Sequence, residues 1–340
     1  MAEDSGPNEF YIPTISLKSP RTEIVTALRQ ASLSSGFFQL SDLDAHISSD
    51  LITEMFEETR RFFALSQDEK EKLSKRKVVK KNHLVGGYEG WRFYDLTKTG
   101  DGGKQGDKDD SEGGWNEGFA IAPEWGTNCF PQDVDASKQD FDPEIFQRTC
   151  KTYFHAVQEL GRHILSTIAE GLGMEKDFFE DYLREQNSFC RLTHYYRAID
   201  LAIAETPDRV EMGAAPHTDW GALTLLVQDE IGGLQVFDRN KETWHDVPPA
   251  PLGKGIVCNI GDLLAHWTND TYRSTLHRVV APKRGVHRYS VPFFNPGNLS
   301  YIVRTIPTCI PTGQQPKYSP ITAGEWITMK HLQSTGALKT

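Results

Sequence analysis

The stretch His217-Thr218-Asp219-Trp220-Gly221-Ala222-Leu223-Thr224-Leu225-Leu226 decides how this chain is to be read. It joins a His-x-Asp pair to a short apolar run of the kind that forms a buried strand. Of the eleven histidines in the chain, His217 alone has an aspartate two positions on. Residues i and i+2 of a strand point to one face. The spacing therefore predicts an imidazole and a carboxylate presented together to one metal ion. The third ligand expected is His277, in Ser274-Thr275-Leu276-His277-Arg278-Val279-Val280, a run that is itself strand-like.

Two histidines and one carboxylate leave three positions open on an octahedral ion, which is the ligand set of non-haem iron(II) oxygenases. A lone His-x-Asp arises often by chance, and a structural histidine beside a surface aspartate is its ordinary explanation. The balance shifts at Arg288-Tyr289-Ser290, eleven positions after His277 and the only Arg-x-Ser in the chain. Arginine and serine on one strand face make a carboxylate clamp, because a guanidinium is a planar fork with fixed donors. His266, in Leu264-Ala265-His266-Trp267, alternates with apolar residues and is the rival third ligand. His155 and His163 read as packing or surface residues of a long helix, and His245 and His287, each beside a charge, as exposed.

Composition narrows the field. The chain has 340 residues, 38% hydrophobic and 25% charged, with a formal net charge of −10. A core is feasible, and an acidic chain lacks the basic face that nucleic acid or anionic membrane requires. Lys75-Arg76-Lys77-Val78-Val79-Lys80-Lys81 is read as a solvated surface stretch. The five cysteines include no CxxC pair, so reduced thiols in a cytoplasmic protein are expected. The polar N-terminus is unlike a signal peptide, and no apolar run is long enough to span a bilayer. Nothing points to an obligate protein partner.

Periodicity divides the chain. Ser19-Pro20 begins a helix with Ile24, Leu28 and Ala31 on one face. A second helix is expected at about 50–64, and Ser66 caps the start of another. A long one covers about 143–172. Residues 96–114, rich in Gly, Lys and Asp, read as a mobile loop. From residue 187 the pattern becomes strand-like: Phe189–Tyr196, Ala222–Val227, Leu234–Phe237, Ile256–Ile260, Leu276–Val280 and Tyr289–Phe294, separated by Gly- and Asn-rich turns. The expected organisation is a helical region over 1–185 packed on a β-sandwich or barrel over 186–330, together one structural unit.

These residues resemble the isopenicillin N synthase-like branch of the 2-oxoglutarate/Fe(II)-dependent dioxygenases over nearly the whole chain. The metal segment, Gly233-Leu234-Gln235-Val236, Asn259-Ile260-Gly261-Asp262, Thr275–Val279 and Arg288–Phe294 follow in the family's order, and Tyr318–Glu325 resembles fungal members. The resemblance implies a β-dominated double-stranded β-helix, or jelly roll, with flanking N-terminal helices. It implies iron(II), with 2-oxoglutarate and O2 as cosubstrates, and oxidation of a small organic substrate with release of succinate and CO2. Hydroxylation, desaturation and ring rearrangement are all open, and fungal secondary metabolism is the expected setting. Arg288 and Ser290 would hold the distal carboxylate of 2-oxoglutarate. Tyr196, at the family's Asn-x-Tyr position, and His194, in place of the Asn, would add hydrogen bonds. Trp220, Phe294, Arg92 and Tyr94 are the candidate substrate contacts. The resemblance also implies that the 96–114 loop lies at the active-site mouth as a lid. Two alternatives remain open: a same-fold iron oxidase that uses no 2-oxoglutarate, as isopenicillin N synthase and aminocyclopropanecarboxylate oxidase do not, and a non-catalytic jelly-roll binding module.

Overall fold

A computed structural model describes residues 10–75, 86–94, 105–106, 116–132, 140–185, 187–197 and 211–334, with the backbone alone for 91–94 and 105–106. The helical layer forms where the sequence places its caps and apolar stripes. Helix α1 (Arg21–Leu33) begins on Pro20 with no side-chain cap, so Ser19 does not take the capping place expected for it. The Pro20 carbonyl accepts from Ile24 N at 3.1 Å and so starts the helical ladder directly. Helix α2 (Ser49–Phe63) starts on Ser48, whose side chain accepts from Leu51 N, and buries Ile52, Met55, Phe56, Thr59, Phe62 and Phe63. Ser66 caps α3 (Gln67–Lys72) in the same way. Helix α4 (Pro143–Gly171) combines an Asp142 cap with proline in its first turn, as the expected boundaries require. It packs on α1 and α2, where the Phe62 and Phe146 rings stack at 5.1 Å, and the short α5 (Glu180–Leu183) follows it.

The β-elements form two large sheets. The larger runs β1 (Thr14–Ser16), β2 (Phe37–Ser41), β11 (Gly255–Ile260), β8 (Leu223–Gln228), β13 (His287–Asn295), β6 (Phe189–Tyr196), β5 (Asn116–Ile121), β3 (Gly87–Tyr94) and β4 (Gln105–Gly106). The smaller runs β10 (Thr243–Asp246), β9 (Leu234–Asp238), β12 (His277–Val280) and β7 (Met212–His217). From β6 to β13 the chain passes back and forth between them, with antiparallel pairing throughout. This is the jelly roll that was expected. Strands β1, β2, β3 and β5 join the same large sheet, so the first half of the chain is not a purely helical layer.

Each face of the large sheet has its own core. Leu192, Leu225, Cys258, Val291 and Phe293 point outward and pack with Leu160, Ile164 and Leu165 of α4 in the main apolar cluster. Phe37, Tyr195 and Val257 point inward and meet Leu234, Val236 and Val279 of the small sheet. Several strands escaped the reading of the sequence, β3, β5 and β7 among them. Met212-Gly213-Ala214-Ala215-Pro216-His217 has little β propensity of its own; β7 exists because β12 pairs with it, His277 directly opposite His217. Strands β3 and β5 contain glycines that break the apolar alternation. Of residues 96–114, only Gln105 and Gly106 fall among the described residues, opposite Tyr94 and Phe93; the expected lid otherwise lies outside them, as do Arg76 to Lys81 of the basic run.

Short connections position the site. His217 ends β7, and residues 218–222 turn back into β8. The start of α6 (Asp262–Trp267) holds this turn: Asp262 N donates to Asp219 O at 2.7 Å and Leu263 N to Gly221 O at 3.0 Å. The two backbones approach so closely that a Cβ on Gly261 would stand 2.2 Å from Gly221 O. Only glycine allows that contact.

Candidate metal centre

Among the described residues, one group of histidine and acidic side chains brings three ligand atoms together: His217, Asp219 and His277, all within 4.8 Å of one another. Nε2 of His217 lies 3.8 Å, and Nε2 of His277 3.7 Å, from Asp219 Oδ1. The cross-strand pairing of β7 with β12 sets the two rings 4.3 Å apart. Asp219 reaches them differently from the sequence expectation. Strand β7 ends at His217, so Asp219 lies in the turn beyond it, and the turn rather than the pleat aims its carboxylate.

Hydrogen bonds assign a role to each ring nitrogen. His217 Nδ1 lies 2.7 Å from Ala215 O, and His277 Nδ1 3.0 Å from Thr275 O. A carbonyl can only accept, so each Nδ1 donates and each Nε2 keeps its lone pair toward the cluster. Asn259 Nδ2 donates to Asp219 Oδ2 at 2.8 Å, which leaves Oδ1 facing the imidazoles. Burial, with the neighbouring His217, pushes the His277 imidazole down to about 4. Burial pushes Asp219 up, but His277 and His217, with hydrogen bonds from Thr224 and Asn259, hold its carboxyl below the usual range. Two imidazoles that present Nε2 and one carboxylate are the donor set that fits a divalent ion such as iron(II). His266, the rival, lies apart from the cluster; it is buried in α6 and stacks on Tyr318 at 4.4 Å.

Arg288 and Ser290 both point into the jelly roll from β13, and both are buried. Arg288 is fully enclosed. Its Nε donates to Gly232 O, its Nη2 donates to Gln228 Oε1 at 2.8 Å, and its guanidinium lies 4.6 Å over the Tyr195 ring. Its Nη1 is buried with no hydrogen-bond partner among the described residues. A buried donor without an acceptor is costly, so this atom fits an anionic ligand such as the distal carboxylate of 2-oxoglutarate. Tyr195 and Phe37 belong to one apolar cluster, and Phe37 meets His277 edge-on at 5.3 Å. The cluster thus links Arg288, through Tyr195 and Phe37, to the ligand His277.

His194 and Tyr196 are not brought to this place. Residues 190, 192, 194 and 196 of β6 face the helices, and 189, 191, 193 and 195 face the interior. His194 is buried on the helix side: Nδ1 lies 2.8 Å from Glu117 Oε1, and Nε2 lies 2.8 Å from His287 Nδ1. Glu117 in turn receives Lys70 Nζ at 2.8 Å and Tyr88 OH at 2.6 Å. Tyr196 stacks on His287 at 4.3 Å. The inward tyrosine is Tyr195, directly opposite Arg288 in register; counting the alternation back from Arg288 identifies it. The same count finds Arg191, which faces the interior and holds Glu89 at 2.7 Å, Thr193 at 3.0 Å and Asn116 at 3.2 Å. A Cβ on Gly118 would strike its guanidinium at 2.6 Å.

Of the expected substrate contacts, Phe294 shares the inward face of β13 with Arg288 and Ser290 and lies 4.9 Å from Phe189. Trp220 follows Asp219 in the metal turn, and its ring lies 6.4 Å from that of His331 in α7 (Ala323–Ser334). Arg92 and Tyr94 belong to β3, and their side chains lie outside the described residues.

Comparison with known proteins agrees with this geometry. Residues 187–295 match the family model of the 2OG-Fe(II) oxygenase superfamily, and residues 12–145 match the N-terminal model of non-haem dioxygenases in morphine synthesis. The chain is 34% identical over 319 residues to a 2-oxoglutarate-Fe(II) type oxidoreductase of Emericella nidulans, covering 93% of this chain and 86% of the relative. It is 32% identical to the clavatol oxidase of Penicillium crustosum, covering 87% and 89%. It superimposes with a TM-score of 0.77 at 26% identity on a Neurospora crassa protein solved with alpha-KG and thymine, covering 97% and 98%. No described helix is long and apolar enough to cross a membrane. The chain belongs to the 2OG-Fe(II) oxygenase superfamily and is an oxidoreductase that works with iron(II) and 2-oxoglutarate.

Proposed function

We propose that His217, Asp219 and His277 hold iron(II), that Arg288 and Ser290 hold the distal carboxylate of 2-oxoglutarate, and that the substrate is a small flat ring compound of fungal secondary metabolism. The observation that carries this reading is the convergence of three ligand atoms, together with a buried guanidinium donor on the inner face of β13 that has no partner among the described residues. Iron(II) held by these three residues would, with O2 and the conversion of 2-oxoglutarate to succinate and CO2, supply the oxidising power. The protein's own work is to orient and to exclude water. Tyr195 supports Arg288 from below, and Asn259 keeps Asp219 turned inward.

The substrate class is supported by the aromatic pair Phe189 and Phe294 on the inward faces of β6 and β13, which suits a flat ring. Relatives named for clavatol, and one solved with thymine, are consistent with such a ring. Five free cysteines support a cytoplasmic setting. The test is succinate release by the iron-loaded protein across a panel of phenols, pyrimidines and pyridine carboxylates, with mass spectrometry of the products. One ring compound should raise succinate formation and gain or lose the expected oxygen or hydrogen. Full substrate oxidation in the absence of 2-oxoglutarate would contradict the reading and place the chain with the cosubstrate-independent oxidases.

A further inference from the structure

We propose that Lys330, on the C-terminal helix α7, is a positioning residue for the metal, acting through Asp262. The inference rests on the assignment of His217, Asp219 and His277 as ligands. Asp262 ties three separate segments to one carboxylate. Its Oδ2 accepts from Thr218 Oγ1 at 3.1 Å, and Thr218 is the residue between the first two ligands. Its Oδ1 accepts from Ser274 Oγ at 2.6 Å, and Ser274 is on the approach to His277. Lys330 Nζ stands 2.8 Å from Oδ2, with a side-chain exposure of 24% against 10% for Asp262. The backbone of Asp262 also holds Asp219 O. No other described cation is paired with this carboxylate in the structure. The lysine itself is held by Trp326, whose ring centroid lies 5.6 Å from Nζ.

A largely buried carboxylate needs a compensating charge, and two hydroxyls alone do not supply one. Without the ammonium, the favourable response of Asp262 is to turn toward water, and that motion releases Thr218 and Ser274 together. Both ligand segments then lose a lateral tie while the ligands themselves stay intact. Groups that orient metal ligands in this way typically alter metal affinity by about 10- to 100-fold when removed.

The experiment titrates the full-length protein with Co(II), whose visible spectrum reports coordination geometry, and records the melting temperature of the metal-free protein alongside. Lys330→Met keeps the apolar stem on Trp326 and removes the charge. It is expected to raise the Co(II) Kd by about 10-fold or more and to change the spectrum, and Lys330→Arg is expected to restore both. Thr218→Val, which removes one hydroxyl tie and leaves Lys330 in place, is expected to weaken binding in the same direction and keeps the test open should Lys330→Met fail to fold. A wild-type Kd and spectrum in Lys330→Met, even with a lower melting temperature, overturns the role of Lys330. A wild-type Kd in His277→Ala overturns the ligand assignment itself and the proposal with it.

Discussion

The two candidate ligand histidines are fixed by the same local device: each Nδ1 donates to the carbonyl two residues earlier, Ala215 for His217 and Thr275 for His277. Extended backbone brings that carbonyl within reach, so the tautomer follows from the strand itself. His277→Ala removes a buried ligand and should abolish stoichiometric Fe(II) binding, measured anaerobically; retained wild-type stoichiometry would point away from this triad. Arg288→Ala removes a charge-assisted clamp that is typically worth about 2–5 kcal/mol, so the Kd for 2-oxoglutarate should rise by roughly 30-fold or more. Arg288→Lys should fall between, since lysine keeps the charge and loses the fork. Metal binding should survive both changes. Tyr195→Leu strips the ring beneath the guanidinium and should raise the same Kd by about 3-fold or more. Tyr196→Phe, on the other face of β6, should leave it unchanged; equal effects would mean that strand alternation had been misjudged. His217, His277, Arg288 and Ser290 were legible because each stands in a short local pattern. Asn259, Thr224 and Gln228 were not, since their partners lie 40, 5 and 60 positions away and only folding identifies them.

Elements with clean periodicity were read to within a residue or two, as the apolar stripe along α4, expected over about 143–172 and found over Pro143–Gly171, shows. Strand β7 was missed because Gly213, Ala214, Ala215 and Pro216 carry no strand signal; its pairing with β12 makes it one. The strand parity of Tyr195 and Tyr196 depends on which neighbour Arg288 faces, and a resemblance taken one position out of register exchanged the faces. At this scale the α4 stripe should dominate stability. Leu160→Ala removes a fully buried side chain from the helix–sheet core and should cost about 2–5 kcal/mol in urea unfolding without altering metal affinity. The other face of α4 predicts an acid response. Burial, with His46 and Arg21 nearby, pushes His163 down to about 4. The unfolded chain takes up this proton near pH 6.5 while the folded one does not, so stability is full above about 6.5 and declines as pH falls toward 4. His163→Gln should flatten the fall in melting temperature of the metal-free protein across that window. An identical slope in variant and wild type would remove His163 from the account.

At the scale of the whole molecule, the alternation of the chain between two sheets gathers the site. His217 and His277 come from the small sheet, Arg288 and Ser290 from the large one, and Asp219 from the turn that joins them. Periodicity foresaw the division into helices and strands, and it could not foresee that residues from both halves of the chain would share one sheet, because β1, β2, β3 and β5 join it by pairing. The most direct measurement of the central claim is an anaerobic titration of the protein with Fe(II) and 2-oxoglutarate, followed by the visible charge-transfer absorption that the chelated keto acid produces. The wild type should give the band at one iron per chain, Arg288→Ala should give it only at much higher 2-oxoglutarate, and His277→Ala should not give it at all. No band in the wild type at saturating iron and 2-oxoglutarate, or an undiminished band in His277→Ala, would contradict the account.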